Sequence, residues 1–166
     1  MENKNFSAAV LTISTKGATG ERVDTSGPNL VKMLKEDGYD VKYTNIIPDD
    51  KELIKKELLK TSDEEINLIL TTGGTGFSQS DITPEATLEV VERLTPGIPE
   101  MMRVLNYKNT DKSCLSRSQA GIRKKSLIIN LPGSERAAKE NFEVVMKPIK
   151  HGLEMLMTEG SANCGG

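Results

Sequence analysis

Residues 67–76 read Asn67-Leu68-Ile69-Leu70-Thr71-Thr72-Gly73-Gly74-Thr75-Gly76. The run Asn67 to Thr72 is short, continuous and mostly apolar, which predicts a strand buried on both faces. It leads directly into three glycines within four residues. Glycine there frees the backbone for positive φ and for close approach by a ligand. Consecutive amides in such a turn form an anion-binding nest. Two readings stand side by side: a phosphate cradle, or a tight strand exit with no ligand. The loop is neither a Walker loop, since no Gly-Lys-Ser/Thr follows, nor a GxGxxG turn.

Working outward, Ala8 to Ile13 (AAVLTI) and Ser126 to Leu131 (SLIINL) are runs of the same kind, and Tyr39 to Ile47 reads as a further strand. Helical spacing separates them. Leu30, Met33 and Leu34 follow Ser26 as N-cap and Pro28, and Gly38 ends that helix. Leu53, Ile54 and Leu58 follow Pro48-Asp49-Asp50. Thr83-Pro84-Glu85 opens a helix carrying Leu88, Val91 and Leu94. Another helix covers Glu100 to Tyr107 after the break at Pro96 to Pro99. The last runs from about Glu135 to Met157, with a break or kink at Pro148. Lys108 to Lys125 lacks regular periodicity and reads as a polar surface loop.

Strands alternating with helices define the α/β class: a three-layer αβα sandwich with a mainly parallel sheet. One domain is expected over residues 1–166, with an ordered core of about 7–157 and a flexible Gly-rich tail. Ligands of such sheets bind beyond the carboxyl ends of the strands. The loops from Ser14, at Pro48-Asp49, at Gly73 to Gly76 and at Pro132 to Ser134 all fall there.

The composition narrows the function. Net charge is −2, from 22 basic and 24 acidic residues, so no broad nucleic-acid surface is expected. No apolar stretch approaches ~18 residues, so no membrane span is expected, and the N-terminus lacks a signal-peptide core. A cytoplasmic location follows by default. Cys114 and Cys164 suit neither a zinc site nor a disulfide framework. His151 is the only histidine, and its place in the last helix excludes a confident Ser/His/Asp or Cys/His arrangement. Any enzyme reading therefore turns to metal- and charge-assisted phosphoryl or nucleotidyl transfer.

Asp81 follows the glycine loop. Beside a phosphate nest a carboxylate repels phosphate unless a cation such as Mg²⁺ intervenes. Its other role is to cap the helix near Pro84. Asp49 and Asp50 share that ambiguity: one caps, the other binds metal. Arg117 and Arg123 flank Ser118-Gln119-Ala120-Gly121 and would hold an anion or simply be solvated. Pro132-Gly133-Ser134 precedes a helix, where amides and the Ser134 hydroxyl suit phosphate or an ordinary cap.

Several of these segments together carry a resemblance. Thr72 to Phe77 with Asp81-Ile82-Thr83-Pro84-Glu85-Ala86-Thr87, Leu115 to Arg123 with Leu127 to Ser134, Asp24-Thr25-Ser26-Gly27, and Ile47-Pro48-Asp49 resemble the signature of the molybdopterin-binding family. The resemblance covers about Ala8 to Leu156. It implies the molybdopterin-binding-domain fold, commonly a homotrimer, and adenylylation of molybdopterin by ATP with Mg²⁺. It implies Asp49 and Asp81 as catalytic and metal-binding carboxylates. It further implies that Gly73, Gly74, Thr75, Gly76, Ser116, Ser118, Ala120, Gly121, Arg123, Asn130, Pro132, Gly133 and Ser134 bind nucleotide or pterin. A molybdenum-insertion enzyme is the implied protein partner. The alternative within the family is a paralogue that binds molybdopterin or its precursor with little catalysis. The chain departs from the usual pattern at Gln79-Ser80, where the family carries Pro-Arg, at Thr15, where it often carries Asp, and at Glu135, where it often carries Pro.

Overall fold

A computed structural model describes residues 5–158; the expected flexible tail with Cys164 lies outside them. In chain order the elements are β1 (Ser7–Ile13), α1 (Thr15–Ala18), α2 (Ser26–Glu36), β2 (Asp40–Ile47), α3 (Lys51–Asp63), β3 (Leu68–Thr72), α4 (Thr83–Val90), β4 (Arg93–Leu94), α5 (Gly97–Asn106), β5 (Ala120–Arg123), β6 (Ser126–Leu131) and α6 (Glu135–Met157), with a 3-10 turn at Asp111–Leu115. Six strands form one sheet in the order β2-β1-β3-β6-β5-β4. The first four are mutually parallel. β5 and β4 extend the sheet antiparallel.

Strand side chains alternate between two cores, as the pleat requires. Ala8 and Val10 of β1, Leu68 and Leu70 of β3, and Leu127, Ile129 and Leu131 of β6 face α2, α5 and α6. Ala9, Leu11 and Ile13, Ile69, and Ile128 face α3 and α4. Both faces of the central strands are therefore apolar, which is why their sequences read as unbroken runs. The three-layer αβα architecture expected from the sequence is the one observed.

The differences are local. The expected loop Lys108 to Lys125 contains the 3-10 turn and β5, joined to β6 by a two-residue hairpin. Lys124 takes the left-handed conformation there, at φ 51°, so the turn lacks the Asn-Gly or Gly signal by which such hairpins are recognised. α4 stops at Val90, because Val91 is extended (ψ 143°) and Leu94 belongs to β4, paired with Gly121. α6 runs through Pro148 unbroken; Val145, Ile149 and Leu153 on either side stay buried, and that packing holds the helix despite one lost backbone donor. Among the described residues no helix is long and apolar enough to cross a membrane.

Candidate functional site

The four expected loops meet beyond the carboxyl ends of the parallel strands. β3 ends on Gly73 and Gly74, at φ 107° and 68°. A side chain at Gly73 would strike the carbonyl of Ile13, and one at Gly74 the Thr83 hydroxyl, so both glycines are required by conformation and by space. Thr83 closes the turn from the other side: its hydroxyl donates to Gly73 O (2.9 Å) and its amide to Gly74 O (3.1 Å). The β6 loop lies against this turn; a methyl group on Gly133 would sit 3.3 Å from Gly73 Cα. Among the described residues, the N–H groups of Gly74, Thr75 and Gly76 donate to no acceptor within the protein, as an anion nest demands.

A buried hydroxyl relay ties three of these loops together. Thr72 Oγ1 donates to Pro132 O at 2.7 Å. Its single proton is thus used, so Ser26 Oγ, 2.7 Å away, must donate to it. The relay joins the start of α2, the end of β3 and the end of β6.

The carboxylates divide by role. Asp50 caps α3 through Leu53 N at 3.0 Å, which leaves Asp49 as the candidate ligand. Asp49 Oδ2 accepts from the Thr15 amide and hydroxyl, each at 3.0 Å; no protein donor reaches Oδ1 among the described residues. Asp81 does not cap α4, which has no side-chain cap; its Oδ2 accepts from Ser78 N at 3.1 Å. Asp24, which sequence reasoning quoted only within a matching stretch, accepts from Thr12 Oγ1 (2.7 Å) and Gly27 N (3.0 Å). The spacing Asp24-x-x-Gly27 is the signal of this local turn.

Two clefts open here. The first, about 430 Å³, is lined by Asp24, Asp49, Gly73, Gly74, Asp81, Gly133 and Ser134, with Thr12, Ser14, Arg22 and Ser80. Ser134 Oγ accepts from Ala137 N, so its proton stays available to a phosphate. The second, about 540 Å³, shares Gly74, Asp81 and Gly133 with the first and adds Thr75, Gly76, Ser116 and Pro132. Phe77, Leu115, Asn106 and Lys112 are also part of its wall. Sequence reasoning did not place these last four in the site; two of them, Lys112 and Leu115, lie in the segment without periodicity.

Five expected site residues line neither cleft. Ser118 is buried and accepts from Ser116 Oγ. Ala120 and Gly121 are ladder residues of β5. Asn130 is fully buried, donating to Thr71 and Thr87 hydroxyls and accepting from Gln119 N. Arg123 is the clearest correction. β5 runs antiparallel to β6, so Arg123 pairs with Ser126 at the far end of the sheet. There it bonds Ser62 Oγ (2.8 Å) and Asp63 Oδ1 (2.7 Å).

Arg117 also lies beside the site, and its guanidinium grips protein. It donates to Gly76 O (2.8 Å), to Asp81 O (2.5 Å) and to the Glu85 carboxylate, while its amide donates to Thr75 O (2.9 Å). The planar fork thus spans both sides of the loop 76–81. Partial burial is the largest single influence on Glu85 and opposes its ionisation, but the bond from Arg117, a backbone hydrogen bond and the charges of Arg117 and Lys51 together hold the carboxyl below its ordinary range.

The donor set fits Mg²⁺ of the substrate-bound kind. Among the described residues, Asp49 and Asp81 each keep one oxygen free of protein donors, and both residues line the same cleft. Among the described residues no group of three acidic, His or Cys side chains forms a closed cage. Mg²⁺ characteristically takes one or two carboxylates and completes its shell with water and substrate phosphates.

Comparison with known proteins gives consistent matches. The family described as "Probable molybdopterin binding domain" matches residues 9–151. The chain is 40% identical over 153 residues to the molybdopterin adenylyltransferase of Helicobacter pylori (strain 26695), covering 89% of this chain and 86% of that protein. It is 40% identical over 158 residues to the molybdenum cofactor synthesis protein cinnamon of Drosophila melanogaster; that match covers 94% of this chain but only 26% of the longer relative. Among solved structures, the molybdopterin biosynthesis enzyme MoaB of Thermus thermophilus superposes with a TM-score of 0.86 at 41% identity, over 91% of this chain and 96% of that one.

Proposed function

Since the chain belongs to the molybdopterin-binding domain family, we propose that it is a cytoplasmic nucleotidyltransferase that adenylylates molybdopterin with ATP and Mg²⁺. The observation that carries this reading is the convergence of Gly73 and Gly74, the Gly133-Ser134 loop, Asp49 and Asp81 on one polar cleft, with Thr75 and Gly76 lining the cleft beside it. Relatives carrying the name molybdopterin adenylyltransferase support it.

In this mechanism a phosphate oxygen of molybdopterin forms a bond to the α-phosphorus of ATP. The bond between that phosphorus and the bridging oxygen to the β-phosphate breaks, and pyrophosphate leaves with the electron pair. The nucleophile is already an anion, so no strong general base is required. The amides of Gly74, Thr75 and Gly76 and the Ser134 hydroxyl hold the phosphates in line. Asp49 and Asp81 would hold Mg²⁺, which supplies neutralisation of the triphosphate and of the leaving pyrophosphate. Thr15 and the Ser78 amide orient the two carboxylates, and the Arg117 fork holds the main chain at Asp81. The second, less polar cleft takes a flat heterocycle against Phe77 and Leu115. Leu94, Met101, Val104 and Leu105 are exposed apolar side chains and support a homotrimer; a molybdenum-insertion enzyme is the partner expected downstream.

One observation favours a second reading, a binding paralogue without efficient turnover: Ser80, not a cation, lines the first cleft. The test is pyrophosphate release from ATP and Mg²⁺, with and without molybdopterin. Release that requires molybdopterin and collapses in Asp81→Asn supports the transferase. Molybdopterin binding without release supports the paralogue.

A further inference from the structure

We propose that Arg22 is an anion-binding residue of the first cleft and contacts a phosphate group of the substrate. This rests on the reading of the cleft as a phosphate-transfer site. Three carboxylates line it, Asp24, Asp49 and Asp81, and among the described lining residues Arg22 is the only Lys or Arg. A site that must gather polyanions thus has one positive side chain in its described lining to meet them. The other arginines near or expected at this end are already committed: Arg117 to Gly76, Asp81 and Glu85, Arg103 to the carbonyls of Ser116 and Ser118. Arg123 is at the far end of the sheet with Asp63.

Arg22 is different. Its side chain is exposed and makes no hydrogen bond or ion pair with any described residue. Its backbone is nevertheless placed. The amide of Arg22 donates to Lys16 O at 3.1 Å, and two residues later Asp24 is held by Thr12 and Gly27. The side chain therefore projects from a fixed base over the cleft, uncommitted until a ligand arrives. A guanidinium in that position offers a fork of donors matched to phosphate oxygens, and it leaves the carboxylates free for metal.

The phosphate has two possible sources, the polyphosphate of ATP and the phosphate of molybdopterin, and the experiment separates them. Calorimetric titrations would be run on the natural chain, Arg22→Ala and Arg22→Lys, with Mg²⁺ and inorganic tripolyphosphate in one arm and with molybdopterin in the other. Thermal unfolding serves as a control, and the absence of any described partner for Arg22 predicts unchanged stability. About tenfold weaker tripolyphosphate binding in Arg22→Ala, partly restored in Arg22→Lys and shrinking at high salt, assigns Arg22 to the nucleotide. The same loss confined to molybdopterin assigns it to the pterin phosphate. Equal binding of both ligands by all three proteins overturns the inference, as does failure of the natural chain to bind either. Pyrophosphate release keeps the two proposals apart. Arg22-dependent binding without release leaves this inference standing and removes the transferase reading. Release with Arg22-independent binding does the reverse.

Discussion

The two ends of the sheet treat their acidic residues in opposite ways. At the amino end of β3 and β6, Asp63 is met by Arg123 (2.7 Å) and Lys124 (2.5 Å). Those two cations hold its carboxyl below the ordinary value. At the carboxyl end, Asp24, Asp49 and Asp81 share a cleft, and none is ion-paired with a described residue. Neutral donors orient them: hydroxyls of Thr12 and Thr15 and the amides of Thr15, Gly27 and Ser78. One end is balanced within the chain; the other is set in place and left uncompensated. Charge left unpaired near a glycine turn is the pattern of a site completed by what it binds.

The contrast can be broken most sharply at Asp81. Asp81→Asn should lower pyrophosphate release by ~10²-fold or more, while unfolding stability stays within about 1 kcal/mol. A parallel loss of stability and turnover would mean the carboxylate serves the fold, and the two ends would no longer differ. Gly74→Ala comes next, because it adds a side chain at φ 68° against Thr83. A destabilisation of about 1–3 kcal/mol in urea, with a further loss of turnover, is expected.

Arg117→Ala should reduce turnover by roughly tenfold, since the loop 76–81 loses its brace. Arg117→Lys should fail to restore it, as one ammonium cannot replace three directed contacts. Steady-state kinetics on both variants checks this. Arg123→Gln is the counterpart at the far end. It should leave the KM for ATP unchanged and cost only about 1 kcal/mol of stability. A raised KM there would return Arg123 to the site. The smallest effect is acid sensitivity. The folded Asp63 carboxyl lies below its unfolded value, 3.8, so its contribution is present above that pH and is lost as the pH falls further. Asp63→Asn should flatten the stability curve in that acid range, measured by denaturant titration.

Much of this was legible because the central strands are buried on both faces. β1, β3 and β6 read as apolar runs, and their ends marked the loops that meet in space. Gly73, Gly74, Asp49 and Asp81 were candidates from the sequence, each with a purely structural alternative, and the family resemblance singled them out. Arg123 was not, because its position depends on β5 running antiparallel, and that strand is four residues long with a turn at Lys124. The same blind spot hid Leu115 and Lys112. The split between Asp49 and Asp50 also needed the structure: both sit before α3, and only the hydrogen bond to Leu53 separates cap from ligand. Arg22 gave no signal, since an exposed arginine in a polar loop is ordinary until its neighbours are known.

Gly74, Asp81 and Gly133 are walls of both clefts, so a ligand in one cavity would rest on residues that also face the other. Any free energy by which filling one changes affinity in the other must appear, equal in size, in the reverse order of addition. The partition is a thermodynamic link: the order in which the two ligands arrive sets the path taken and leaves the total binding energy of the ternary complex the same.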